Sequence, residues 1–335
     1  MTGQPNVHES SQASILREEL QLEPINEAII TAGMPLSEVL MHLSRHGCED
    51  ITLKLDESKC SEHALSNGGF GDIFRGALRD GTRVGIKRLR LQLNSAGDKE
   101  KQLKHAAREL YIWSKCEHPN ILPLIGMTQF RNQISMVSPW MEHGTLSNFL
   151  SRRPQLNRCT MCVQIAEGVS YLHAQGIVHG DIKGSNILIS HDFVPKLTDF
   201  GNSWFNETTQ SLQFSETTSD PSMTARWAAP EVVEGDIKSS VEADVYALGM
   251  TILEIISGSV PYENLLNVAV IRKVIAGVHP ERPQSHIPLG IGQADLLWKL
   301  LTDCWNINPT HRPTASKARD EMKGITPEGL MGVTS

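Results

Sequence analysis

The stretch GIVHGDIKGSNILI, residues 176–189, decides how the chain is read. An apolar, strand-like entry (Ile177, Val178) leads into His179, Gly180 and Asp181. Lys183 and Asn186 follow, before a second apolar run, Ile187-Leu188-Ile189. An aspartate with a lysine two places on and an asparagine five places on can supply a proton acceptor, a phosphate neutraliser and a metal ligand. The question is whether the rest of the chain builds a site around that loop.

Composition sets few limits. A chain of 335 residues accommodates one two-lobed domain or two small ones. With 40% hydrophobic and 21% charged residues it is expected to bury a sizeable core. A net charge of −7 gives no global pull toward nucleic acid or anionic lipid. The polar start, MTGQPNVHESSQAS, lacks an apolar signal region. The best apolar run, YALGMTILEII (246–256), is too short to span a membrane and carries Glu254. Six scattered cysteines do not resemble a disulfide framework. These features predict a soluble, cytoplasmic protein.

Texture changes along the sequence, and no internal repeat is found. Residues 1–15 are polar and expected to be disordered. Within 16–46 the pattern is helical: Leu36, Val39, Leu40 and Leu43 share one face, and Gly47 supplies a stop. From about 64 to 138 short β-like runs dominate (FGDIFRGAL, TRVGIKRLRL, ISMVS), with a hairpin signal in RDG at 79–81. One helical stretch, KEKQLKHAARELYIWSKC, lies between them. After residue 144 helices prevail, apart from short strands around HGD and LTDFG. A β-rich part followed by a helical part predicts two lobes with a cleft between them.

Several motifs point at that cleft. LSNGGFGDIF places Gly68, Gly69 and Gly71 in a turn between strands, where glycine lets backbone N–H groups approach a polyphosphate. It is not a Walker loop, since no Gly-Lys-Ser/Thr follows. In VGIK, Lys87 sits in an apolar strand, where an ammonium is costly without a partner; Glu109 in the helix AARELYIW is the natural one. Taken singly, Lys87 reads as a snorkelling surface lysine and Glu109 as a solvated carboxylate. In order along the chain they are joined by HGDIKGSN, by DFG at 199–201 and by APE at 229–231.

That ordered set resembles the eukaryotic protein kinase family over roughly residues 59–322. The resemblance implies an α+β, two-lobed fold: a small β-rich lobe (about 59–138) with one main helix, a hinge (139–142) and a larger helical lobe (143–322). Residues 1–58 would be an extension that docks on the small lobe or recruits a regulatory partner, and 323–335 a tail. It also implies ATP and Mg2+ as cofactors, and protein substrates in signal transduction. Lys87 would hold the α and β phosphates, oriented by Glu109; Asp181 would accept or align the substrate hydroxyl proton; Lys183 would neutralise the γ-phosphate. Asn186 and Asp199 would hold Mg2+. Leu65, Ser66 and the loop glycines would cover the nucleotide, with Ile73 above and Leu188 below adenine. Ser138 would gate the back pocket, and Pro139 to Met141 would face adenine as the hinge. Phe200, His179 and Trp113 would stack, Asp244 would anchor the catalytic loop, and Glu231 would pair with Arg312. Lys183 and Thr224 match the Ser/Thr pattern, while RWAAPE and the CW…RP ending lean toward the tyrosine-kinase-like branch; dual specificity stays open.

Three positions depart from the family pattern. Ser66 replaces the first loop glycine and Gly85 the usual strand alanine, a lost contact worth roughly 1 kcal/mol. Gly180 stands where arginine is usual; it removes a charge that an activation-segment phosphate would neutralise, and leaves Asp181, Lys183 and Asn186 in place. The Ser/Thr-rich stretch NETTQSLQFSETTSDPSMT reads as a polar loop or a phosphorylation segment. Cys159 and Cys162 form C-x-x-C without the further ligands a structural zinc needs, so they are expected to pack as small apolar residues. Two competing readings are a pseudokinase scaffold and a small-molecule phosphotransferase of the aminoglycoside-kinase type. The first predicts erosion at Lys87, Asp181, Asn186 or Asp199, and the second generally lacks the Ala-Pro-Glu segment and an Arg312 equivalent.

Overall fold

Period-two sequence builds the small lobe. The structure, a computed structural model, describes residues 34, 36–68, 71–89, 96–152, 157–206, 225–235 and 239–332. Strands β1 (Leu55–Asp56), β2 (Ser66–Gly68), β3 (Gly71–Leu78), β4 (Arg83–Leu89), β5 (Gly126–Phe130) and β6 (Gln133–Pro139) form one antiparallel sheet in the order β1-β3-β4-β6-β5, with β2 also on β3. The RDG signal is the β3–β4 hairpin: Gly81 has φ +91°, and its N–H donates to Leu78 O at 2.9 Å. Phe74, Leu78, Val84, Ile86, Phe130 and Val137 bury one face of the sheet together with Ile51 and Leu55. The Arg88 and Arg131 guanidiniums lie 4.9 and 4.8 Å from the Phe74 ring centroid, covering it with cations.

Residues before 59 belong to this packing. A helix spans Leu36–Arg45 and stops at Gly47, φ +97°; Val39, Leu40 and Leu43 are buried, as the apolar spacing predicts. Downstream, Met127 N donates to Glu49 O and Ile51 N to Met127 O, so residues 49–51 run beside β5. Part of the expected N-terminal extension thus packs on the small lobe. No regular apolar period marks 49–58; isolated Ile51 and Leu55 carry the burial.

The large lobe is organised around the helix Val241–Ser257. Ser240 caps its start by accepting from Ala243 N, and Gly258 at φ +81° ends it. Every residue from Ala243 to Ile256 is buried. Such all-round burial marks a central helix, so YALGMTILEII is core rather than membrane. Among the described residues no helix is long and apolar enough to cross a membrane. Helices Arg158–Ala174 and Gly292–Cys304 pack on it, and Ala315–Met322 packs on the former. In the expected tail, the helix Pro327–Leu330 packs on Gly292–Cys304, burying Ile325 and Leu330. Two ribbons complete the site-bearing face: β7 (Ile177–Val178) with β10 (Trp204–Phe205), and β8 (Ile187–Ile189) with β9 (Pro195–Leu197). The result is a two-lobed α+β fold.

Candidate active site

Three charged residues from distant segments meet in the cleft. Lys87 Nζ on β4 lies 2.7 Å from Glu109 Oε1, on the helix Ala96–Ser114, and 2.7 Å from Asp199 Oδ1. Burial by itself would lower the Lys87 pKa, but Asp199 and Glu109 outweigh it and hold the ammonium above its ordinary value. Glu109, with no exposed side-chain surface, is pushed up by burial against the pull of Lys87. At Asp199 burial raises and Lys87 lowers, and Lys87 wins, keeping the carboxylate ionised. Asp199 adopts φ +69°, a left-handed conformation that a non-glycine residue keeps only under constraint from its surroundings. The next residue provides that constraint. Phe200 is fully buried, stacked on Trp113 at 6.0 Å and 23°, and 5.4 Å from the His179 ring.

The start of the loop 179–186 is held from behind by the Asp244 carboxylate. Asp244 accepts from His179 N and Gly180 N, both at 2.8 Å, and from His173 Nε2 at 3.0 Å. His179 donates from Nε2 to Thr198 O (3.1 Å) and accepts at Nδ1 from Asp181 N (3.3 Å). Asp181 is in turn gripped by Lys183 Nζ, at 2.9 and 2.7 Å from its two oxygens, and by Asn186 Nδ2 at 2.9 Å. Gly180 has φ +78°, and a Cβ there would stand 2.8 Å from Asn202 O. Glycine is the residue that fits this backbone without strain.

The remaining predicted residues that the structure describes lie on the small-lobe sheet, just after β6, on β8 or within the large lobe. Ser66 pairs with Ile73, Gly68 with Gly71, Ile73 with Lys87, and Gly85 with Ser138 across the sheet. At Gly71 a Cβ would lie 2.6 Å from Arg88 O, so this hairpin needs glycine. At Gly85 a Cβ would meet Ser138 Oγ at 3.6 Å and Trp140 Cε3 at 3.8 Å, ordinary contacts that leave room for alanine. Leu65 is exposed, while Ser138 and Met141 are buried and Leu188 is half-buried on β8. Pro139 still pairs with Val84 at the end of β6, so the expected hinge begins inside the strand. Gly69 and Thr224 lie outside the described residues. Away from the cleft, Arg312 grips Glu231 with two bonds, 2.6 and 2.9 Å, its own side chain fully buried. Cys159 and Cys162 are buried, unbonded to each other, with both thiols pushed up by burial.

One contributor was not singled out by sequence. Glu254 is buried and accepts from Ser147 Oγ (2.8 Å), Gly184 N (3.1 Å) and Trp227 Nε1 (3.0 Å), which ties the catalytic loop to the segment before APE. Burial raises its pKa against those three donors. The available signal was a carboxylate inside an apolar helix.

Comparison with known proteins agrees with this geometry. Residues 60–322 match the family described as protein tyrosine and serine/threonine kinase. A probable serine/threonine-protein kinase of Dictyostelium discoideum is 30% identical over 76% of this chain and 48% of its own length. Serine/threonine-protein kinase STY46 of Arabidopsis thaliana is 28% identical over 79% of the chain and 44% of its own. Tyrosine-protein kinase Btk of Drosophila melanogaster is 28% identical over 77% of the chain and 31% of its own. The chain thus spans less than half the length of these relatives. With the Lys87, Glu109 and Asp199 constellation and the braced catalytic loop, the match over 60–322 shows that the chain belongs to the eukaryotic protein kinase family.

Proposed function

We propose that this chain is an active kinase that transfers the γ-phosphate of ATP to serine and threonine hydroxyls of protein substrates. The observation that carries the reading is the shared ammonium of Lys87, paired at once with Glu109 and Asp199. A phosphotransferase needs positioned charges more than covalent chemistry, and here those charges are intact and mutually held. Lys183 matches the Ser/Thr pattern and supports serine and threonine over tyrosine, while the relatives include kinases of both kinds.

The donor set fits Mg2+. The Asn186 amide nitrogen is committed to Asp181 O and Oδ2, which leaves its side-chain carbonyl oxygen, with the Asp199 carboxylate, as a pair of hard oxygen ligands. Mg2+ typically takes one or two protein carboxylates or carbonyls and completes its shell with water and phosphate oxygens. Bound with ATP, it supplies charge neutralisation for the transferring group. Lys87 orients the α and β phosphates, and Glu109 keeps Lys87 extended toward them. Asp181 accepts the proton of the attacking hydroxyl at its carboxylate, and Lys183 offsets the charge on the transferring phosphoryl. Leu65, Ser66, Gly68, Gly69, Gly71 and Ile73 cover the nucleotide from the small lobe, with Ser138, Met141 and Leu188 around adenine. A cytoplasmic signalling role, with a regulatory partner at the N-terminal residues, completes the proposal.

The test is incubation of purified protein with Mg-ATP, followed by mass spectrometry for phosphosites on itself and on a peptide library. Nucleotide binding without a single phosphosite would favour a pseudokinase scaffold instead.

A further inference from the structure

Residues 36–51 precede the matched stretch, yet they touch the helix that carries Glu109. Val39, Leu43 and Cys48 are 0%, 2% and 1% exposed, and they share one buried cluster with Leu103, Ala106 and Leu110 of that helix. The helix Leu36–Arg45 packs directly against Ala96–Ser114 and against β6. Two polar contacts and one ring contact fasten the join. Cys48 Sγ lies 3.6 Å from Leu110 O, Lys115 Nζ donates to His46 O at 3.1 Å, and the His46 ring stands edge-on to Tyr111 at 6.3 Å. Leu110 and Tyr111 immediately follow Glu109, so two of these three anchors act within one helical turn of it.

Glu109 needs such an anchor. Its carboxylate is buried, Oε1 takes one hydrogen bond from Lys87, and Oε2 has no hydrogen-bond partner. A buried carboxylate with half its acceptor capacity unused favours an outward movement of its helix toward water. Packing of the helix opposes that movement: Trp113 stacks on Phe200, Arg108 donates to Gly201 O at 3.4 Å, and residues 36–48 add contacts at Leu110 and Tyr111 beside Glu109.

We propose that residues 36–48 are a built-in positioning element that holds the Glu109 helix where Glu109 meets Lys87. Val39, Leu43 and Cys48 act through Leu110 and its neighbours and touch no substrate, so they are positioning residues. The inference rests on reading Lys87 and Glu109 as phosphotransfer machinery. It adds that their contact is maintained by chain outside the part that matches the family.

The test uses the full chain and two readouts. One is the rate at which an acetyl N-hydroxysuccinimide ester labels Lys87 without nucleotide, measured by mass spectrometry against exposed Lys59. The other is the separate kcat and KM for ATP. Val39→Ala/Leu43→Ala is expected to raise Lys87 labelling and lower kcat, each by roughly tenfold, as the engaged position loses population. The conservative exchange Leu43→Met should restore both. Leu55→Ala, on the opposite face of the sheet, should lower the urea midpoint while leaving both readouts near wild type. Where the double variant does not fold, Leu43→Val should move both readouts in the same direction by a smaller factor. Unchanged labelling in the folded core variants would overturn the inference, as would an equal rise in Leu55→Ala. A wild-type chain that transfers no phosphate would defeat the phosphotransferase reading alone, since Lys87 labelling still decides whether residues 36–48 hold the contact.

Discussion

Exchanging Glu109 for glutamine preserves side-chain shape and removes one charge from the Lys87 pair. At 2.7 Å the gross attraction is about 6 kcal/mol at an effective dielectric of about 20. Burying the carboxylate costs several kcal/mol, which the exchange gives back. Glutamine can still accept a hydrogen bond from Lys87, and Lys87 keeps Asp199 at 2.7 Å. The two large quantities offset, so global stability should change by no more than about 1 kcal/mol. Catalysis lacks that compensation, because it depends on where the ammonium is held rather than on the net cost of burying it. Losing somewhat less than half of the gross attraction corresponds to roughly a 10²-fold fall in kcat/KM for ATP. Urea denaturation and steady-state kinetics with a fixed peptide substrate measure the two effects on the same preparation. Unchanged kinetics would mean that the Glu109–Lys87 contact has no part in transfer. A loss of activity that merely tracks loss of folded protein would refute the separation argued here.

Asp181→Asn should leave nucleotide affinity near wild type and reduce turnover by roughly 10²–10⁴-fold, whereas Asp199→Ala should abolish productive Mg-ATP binding; calorimetry and single-turnover assays distinguish them. Because Gly180 carries no cation, fully dephosphorylated protein should phosphorylate an exogenous substrate at a linear initial rate; a lag removed by pre-phosphorylation, and abolished by alanine substitutions between Thr208 and Thr224, would contradict this. Gly180→Ala should cost about 1–3 kcal/mol in a denaturant titration, from its left-handed backbone and the 2.8 Å approach to Asn202 O. Burial, with Arg108 and Lys87 nearby, lowers the His105 pKa from 6.5 to about 4, so the folded state binds fewer protons than the unfolded one between those values. Its contribution is complete above about pH 6.5 and is lost as pH falls toward 4, about 2 kcal/mol by pH 5, and His105→Gln should flatten that part of a stability-versus-pH curve. Glu231→Ala should cost about 3–5 kcal/mol by the same titration, since it strands the Arg312 guanidinium in the core.

Much of the site is legible in the chain because phosphotransfer uses residue types that are costly elsewhere. A lysine in an apolar strand, an aspartate before Phe-Gly and glycines in a hairpin are each weak signals, and their order makes them specific. The strands Gly71–Leu78 and Arg83–Leu89 are equally legible, from their alternation and the turn between them. By contrast β5, GMTQF, offers neither alternation nor flanking turn residues strong enough to announce a strand. Its pairing with β6 and with residues 49–51 makes it one.

The sequence by itself determined the family, the two-lobed architecture and the identity of the charged residues, because local pattern and residue chemistry are written in order along the chain. Only the tertiary structure decided which of those residues touch. It placed Lys87 between two carboxylates, made Asp244 the brace of the catalytic loop and made Glu254 the acceptor for three separate segments. It also packed Val39, Leu43, Ile51 and Leu55 on the small lobe and Ile325 and Leu330 on the large one. Their contacts join positions tens to hundreds of residues apart, and the reason they form is burial. A carboxylate such as Glu254, or an isolated apolar residue such as Ile51, becomes informative only when distant segments remove it from water and must satisfy or cover it.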